Sequence, residues 1–77
     1  MKMNKERRNR ITSIINKLGD IKNVLQQVLD DEVNAFENMP EGLQCSMRGE
    51  ASEEAQGYME TAIENLENAI EELSYID

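Results

Sequence analysis

Apolar residues in the first half of the chain recur with the spacing of one helix face. They follow one another in steps of three or four, at Ile11, Ile14, Leu18, Ile21, Leu25 and Val28. Ile15, Leu29 and Phe36 widen this stripe on one side. A strand would instead alternate apolar and polar residues with a period of two. The pattern predicts a long helix over about residues 5–38.

The stripe fades at Asn38, where the sequence continues Met39-Pro40-Glu41-Gly42. Proline disfavours helical geometry in the residue before it, and glycine readily adopts the backbone angles of turns. We therefore expect a connection over residues 39–46. A serine side chain can accept a hydrogen bond from the first turn of a helix. Ser46 or Ser52 could cap the next helix in this way, and Ser46 is the favoured candidate.

A second helix is predicted over about residues 47–75. Its segment Ala62-Ile63-Glu64-Asn65-Leu66 returns seven residues later as Ala69-Ile70-Glu71-Glu72-Leu73. Large apolar residues form a seam at Met59, Ile63, Leu66, Ile70 and Leu73, with Ala55, Ala62 and Ala69 beside it. Small alanines next to large aliphatic residues allow close helix packing in coiled-coil-like bundles.

The expected fold is all-α, a single domain in which two helices of similar length form an antiparallel hairpin. A hairpin of 77 residues buries little surface by itself, and association is a common remedy. We expect a homo-oligomer, most simply a dimeric four-helix bundle. Its predicted core consists of Ile14, Leu18, Ile21, Leu25, Val28, Met59, Ile63, Leu66, Ile70 and Leu73.

Charge is distributed unevenly along the chain, whose net charge is −8. Residues 1–22 hold seven basic residues and two acids, whereas residues 23–77 hold one basic residue and fourteen acids. An antiparallel dimer would place the basic end of one copy beside the acidic loop end of the other. Exposed ion pairs contribute less than about 1 kcal/mol each, so this arrangement would favour an orientation and add little stability.

The composition argues against enzymatic chemistry. There is no histidine, so the usual zinc, haem and di-iron ligand sets are missing and no metal or cofactor is expected. Cys45 is the only cysteine, so it has neither a disulfide partner within the chain nor a histidine to activate it. A lone thiol suits a reducing cytoplasm, and no apolar run is long enough to span a membrane.

Two charged surfaces are candidates for binding. Glu60, Glu64, Glu67 and Glu71 form a row of carboxylates beside the apolar seam, suited to a basic protein surface or to mimicry of DNA phosphates. Arg7, Arg8 and Arg10 form a basic cluster that suits an anionic nucleotide. The simpler interpretations are a solvated face for the row and ion pairing with the second helix for the arginines.

The connection resembles a known group of proteins. Ala35-Phe36-Glu37-Asn38-Met39-Pro40-Glu41-Gly42-Leu43-Gln44, then Ser46-Met47-Arg48-Gly49-Glu50-Ala51 and the Ala-Ile-Glu-x-Leu heptads, are similar to small acidic proteins encoded by phages and prophages. The resemblance covers about residues 30–73 and assigns no functional residues. It implies a viral accessory protein of the host cytoplasm, where inhibiting host defence is a frequent role.

These observations favour a non-enzymatic accessory protein that binds and inhibits a host protein, a component of host defence. One alternative is an oligomeric sponge that sequesters an anionic nucleotide through the arginines of several copies. Others are a purely structural or regulatory hairpin and an acidic mimic of DNA.

Overall fold

The computed structural model describes residues 3–76 and contains three α-helices. They are α1 (Lys5–Glu37), α2 (Glu41–Gln44) and α3 (Met47–Ser74). Helices α1 and α3 run antiparallel and pack against each other, while the one-turn helix α2 lies in the connection and contacts α3. No strand occurs between residues 3 and 76. The predicted all-helical hairpin is confirmed, and its extents of 59 × 16 × 12 Å make it elongated.

Local hydrogen bonds mark the start of α1. The side-chain oxygen of Asn4 accepts hydrogen bonds from the backbone N–H groups of Glu6, at 2.8 Å, and Arg7, at 3.3 Å. These bonds satisfy two donors that have no partner inside the helix. At the other end, Asn38 still donates its N–H to Asn34, and the chain leaves the helix ahead of Pro40.

The connection is more ordered than the predicted loop. Its short helix α2 begins directly after Pro40, whose fixed φ suits the start of a helix. The side-chain amide of Gln44 then donates hydrogen bonds to the backbone oxygens of Phe36, at 3.0 Å, and Met39, at 3.1 Å. Gln44 thereby ties the connection to the end of α1.

The predicted capping role of Ser46 is wrong in its chemistry. Ser46 does occupy the N-cap position of α3, but its side chain accepts no capping hydrogen bond. Its hydroxyl donates instead to the carbonyl oxygen of Leu43. The hydroxyl is therefore committed to the connection, and Glu50 bonds the backbone oxygen of Ser46 as the first regular helical bond of α3.

The contact between α1 and α3 is a single seam. Among the described residues only two large apolar side chains are buried, Leu29 and Ile63, each 6% exposed. Other seam residues are half-buried, namely Ile11, Ile15, Leu18, Leu25, Phe36, Met59, Leu66, Ile70 and Leu73. Each helix of a pair covers only one stripe of its neighbour, so most of the apolar surface stays partly exposed.

Candidate interaction surfaces

The acidic row lies on the exposed surface of α3. Glu60, Glu64, Glu67 and Glu71 are all exposed, in steps of four, three and four residues. At about 1.5 Å per residue they span roughly 16 Å along the helix. Helix α3 holds eight acids and one basic residue, so the row is part of a helix with a net charge of −7.

Tyr75 forms a hydrogen bond with Glu71, the last glutamate of the acidic row. Its hydroxyl donates a 2.7 Å hydrogen bond to the Glu71 carboxylate. This bond raises the pKa of Tyr75 above its ordinary value, because the phenol is stabilised as a donor, and desolvation acts in the same direction. The contact links Glu71 to the C-terminal end of α3. The other three glutamates of the row lie nearer the N-terminal end of the helix.

The three arginines of the basic cluster do not converge on one site. Arg8 is half-buried and lies in a groove of about 520 Å³ at the open end of the hairpin. Arg7 and Arg10 are exposed and line a different depression, of about 260 Å³. Successive residues of a helix are rotated by about 100°, which separates Arg8 from its two neighbours.

The groove around Arg8 combines charge with apolar surface. Helix α1 contributes Lys5, Asn9 and Thr12 beside Arg8, and the apolar part is formed by Ile11, Ile15, Leu73 and Ile76. The Nε atom of Arg8 is buried and has no hydrogen-bond partner among residues 3–76. Of the three predicted arginines, Arg8 therefore has the most enclosed setting for an anion.

The predicted oligomer core divides into two sets. Seven of its residues are buried or half-buried in the seam between the helices of one chain: Leu18, Leu25, Met59, Ile63, Leu66, Ile70 and Leu73. The other three, Ile14, Ile21 and Val28, are 46%, 54% and 49% exposed. Val24, 58% exposed, belongs with them and was not among the predicted core residues. We call Ile14, Ile21, Val24 and Val28 the apolar ridge.

Sequence spacing contained the signal for Val24. It lies three residues after Ile21 and four before Val28, on the same side of α1. Asp20, Ile21, Val24, Leu25 and Val28 together line a shallow depression of about 400 Å³. Ile21, Val24 and Val28 therefore form one apolar surface. Ile14 lies on the same side of α1, two turns before Ile21.

Other groups contribute little to a site. Cys45 has a free, exposed thiol. Within residues 3–76 no cluster of three or more acidic or cysteine side chains is arranged to hold a metal ion. None of the described helices is both long and apolar enough to cross a membrane.

Comparison with known proteins gives no relative. No protein-family model matches the chain, and neither a curated protein nor a solved structure matches it significantly.

Proposed function

We propose that this chain is a non-enzymatic accessory protein of phage type that binds a host protein, a component of host defence, in the host cytoplasm. The observation that carries the proposal is the exposed row Glu60, Glu64, Glu67 and Glu71 on a helix of net charge −7. Complementary charge accelerates encounter with a basic surface and fixes the orientation of the complex. The resemblance of the connection to small phage proteins supports the cellular context.

The fold supports action by binding. A regular row of carboxylates on a long helix presents charge at fixed spacing over roughly 16 Å, which suits a flat or grooved basic surface. Adjacent glutamates at these spacings repel each other by a few tenths of a kcal/mol per pair. A basic partner would remove that repulsion on binding.

Charge reversal tests the proposal. Replacing Glu60, Glu64 and Glu67 by lysine should abolish capture of the host protein from lysate while circular dichroism shows unchanged helicity. The matched control replaces Glu50, Glu53 and Glu54 by lysine, because these are three exposed glutamates of the same helix. Capture lost equally in both variants would indicate a general charge effect and would contradict a specific role for the row.

The protein is also proposed to work as a homo-oligomer. The described residues 3–76 include two buried large apolar side chains, which is few for a folded domain of this size. A dimeric four-helix bundle would bury the partly exposed stripes of both helices.

The Arg8 groove favours a second candidate function, the sequestration of an anionic nucleotide. The buried Nε atom of Arg8 has no hydrogen-bond partner within the part of the chain that the structure describes, and guanidinium groups bind phosphate oxygens well. Calorimetry with cyclic and linear nucleotides tests this function. Arg8→Ala should abolish binding, whereas Lys22→Ala removes a positive charge outside the groove and should leave it unchanged. If no nucleotide gave a measurable heat of binding, nucleotide sequestration would be contradicted.

A further inference from the structure

The apolar ridge lies outside the contact between α1 and α3. Seam residues such as Leu18, Leu25 and Leu29 face α3, and the ridge is displaced from them by about a quarter turn around the helix axis. Its four side chains are between 46% and 58% exposed. A ridge of this kind on a small chain marks an interaction surface.

Small residues continue this face across the hairpin. Ala35 of α1 and Ala51 and Ala55 of α3 line one depression of about 420 Å³ near the connection, together with Glu32, Met39, Arg48 and Ser52. Steps of seven residues return to nearly the same side of a helix, so Ala62 and Ala69 extend the row from Ala55. The large side chains of the apolar ridge on α1 lie beside the small alanines of α3. Large side chains of a second hairpin can pack over these alanines, as they do in helix bundles.

The exposed area is large enough to supply a dimer interface. The chain exposes 6017 Å². A compact monomer of this length would expose about 4,800 Å², so the excess is about 1,200 Å². A stable protein interface covers about 800 Å² of each partner. The radius of gyration of 17.7 Å also exceeds the roughly 11.5 Å of a compact domain of this length.

Two charged residues in line with the apolar ridge of α1 favour one orientation of the two copies. Steps of three and four residues place Lys17 and Asp31 in line with Ile14, Ile21 and Val28, and both are exposed. In a parallel, in-register dimer, Lys17 would face Lys17 and Asp31 would face Asp31. In an antiparallel dimer with Ile21 opposite Val24, Lys17 faces Val28 of the partner subunit. Asp31 of the partner subunit then lies one turn away, within reach of Lys17.

The wider charge distribution favours the same orientation. From Lys5 to Lys22, α1 holds six basic residues and two acids, whereas the loop end of the hairpin is acidic. Antiparallel packing places the basic half of one α1 along the acidic half of the other. Parallel packing would bring both acidic loop ends together.

We propose that a second copy of this chain covers the ridge and alanine row in antiparallel orientation, with Ile21 of each copy opposite Val24 of the other. The four helices then enclose a common core. This inference rests on the homo-oligomer in the proposed function and is independent of the acidic row.

Light scattering with matched variants tests the face. The wild-type protein should have twice the mass of the chain. Ile21→Asp places a charge in the centre of the ridge and should give the mass of one chain, a twofold drop. Asn23→Asp adds the same charge two residues away at an exposed position outside the ridge and should remain dimeric. A monomeric wild type, or a dimer insensitive to Ile21→Asp, would overturn the proposal.

Disulfide trapping tests the orientation with milder changes. In a Cys45→Ser background, a mixture of Ile14→Cys and Asp31→Cys chains should form a cross-linked heterodimer on mild oxidation. Ile14→Cys alone should not cross-link, because antiparallel packing separates the two positions by 17 residues, or about 25 Å. Efficient cross-linking of Ile14→Cys to itself would show parallel packing and overturn the proposed arrangement. Neither measurement depends on capture of a host protein, so failure of the acidic row leaves this test unaffected.

Discussion

The Ser52 hydroxyl of α3 donates a 2.6 Å hydrogen bond to the Glu32 carboxylate of α1. Ser52 is only 7% exposed, and the side-chain amide of Gln56 donates to the same hydroxyl at 3.3 Å. The packed seam and the short connection set the register of α3 along α1. A directional bond between the two helices favours the same alignment near the connection.

Ser52→Ala should therefore destabilise the hairpin. The change removes the bond and leaves the half-buried Glu32 carboxylate without this donor, and hydrogen bonds to charged groups contribute about 1.5–3 kcal/mol. We expect urea unfolding, followed by circular dichroism, to show a loss of about 1–2 kcal/mol. Ser13→Ala is the control, because Ser13 is exposed on α1. Equal effects of the two substitutions would show that the bond contributes nothing.

Gly49→Ala should be more disruptive than its position inside a helix suggests. A Cβ atom built on Gly49 would lie 2.7 Å from the Cα atom of Gln44 and still closer to the carbonyl group of that residue. Because backbone cannot move aside as the tip of a side chain can, we expect the free energy of unfolding to fall by about 1–3 kcal/mol. Thermal unfolding of the variant and the wild type measures this loss of stability.

Gly57→Ala provides the matched control for this change. Gly57 lies in the same helix, and a Cβ atom there would meet open space. Alanine is favoured over glycine in a helix interior by about 1 kcal/mol, so this variant should be slightly stabilised. Destabilisation by both substitutions to a similar extent would contradict the proposed close approach at Gly49.

The helical hairpin was predictable because its signals are local. The spacing of apolar residues defines both long helices, and Pro40 with Gly42 marks the interruption between them. The contacts of Gln44 and Gly49 were not predictable, because they depend on how the chain folds back at the connection. Helix α2 is a single turn and is too short to show a periodic pattern.

Assignment of apolar residues to one interface or another was only partly predictable. The stripe on α1 is wide, and both Leu18 and Ile21 satisfy the same three-or-four spacing. Which of them faces α3 depends on where the second helix packs. The separation of Arg8 from Arg7 and Arg10 follows from helix rotation alone, so that feature of the basic cluster was available from the sequence.

Tyr75 should titrate above the ordinary pKa of tyrosine. Its hydroxyl donates to Glu71, so ionisation would break that bond and place two negative charges together. In a Tyr58→Phe background, ultraviolet absorbance reports Tyr75 alone. Glu71→Gln should lower the pKa towards the ordinary value, and Glu67→Gln should leave it unchanged. An unaltered pKa in the Glu71 variant would contradict the hydrogen bond as the cause.

The raised pKa of Tyr75 also predicts how the stability of the folded chain changes with pH. A group whose pKa is higher in the folded chain contributes stability that is complete below the pKa of the unfolded chain. The contribution is lost as the pH rises through the pKa of the folded state. Any effect of the Tyr75–Glu71 contact should therefore be present at neutral pH and disappear in alkaline solution. Thermal unfolding of wild type and Glu71→Gln across this range measures the difference.

Thermal stability should depend on protein concentration if a second copy completes the core. Dissociation accompanies unfolding of a dimer, so a hundredfold rise in concentration favours the folded state by about 2.7 kcal/mol. For a unit of about 150 residues, 1 kcal/mol corresponds to about 2–4 °C, and the midpoint should rise by about 5–10 °C. Val24→Asp should abolish this dependence because it places a charge in the ridge, whereas Asn23→Asp should retain it. A wild-type midpoint that stays constant over the same range would mean that α1 and α3 of one chain are sufficient, and that the exposed ridge is not covered by a second copy.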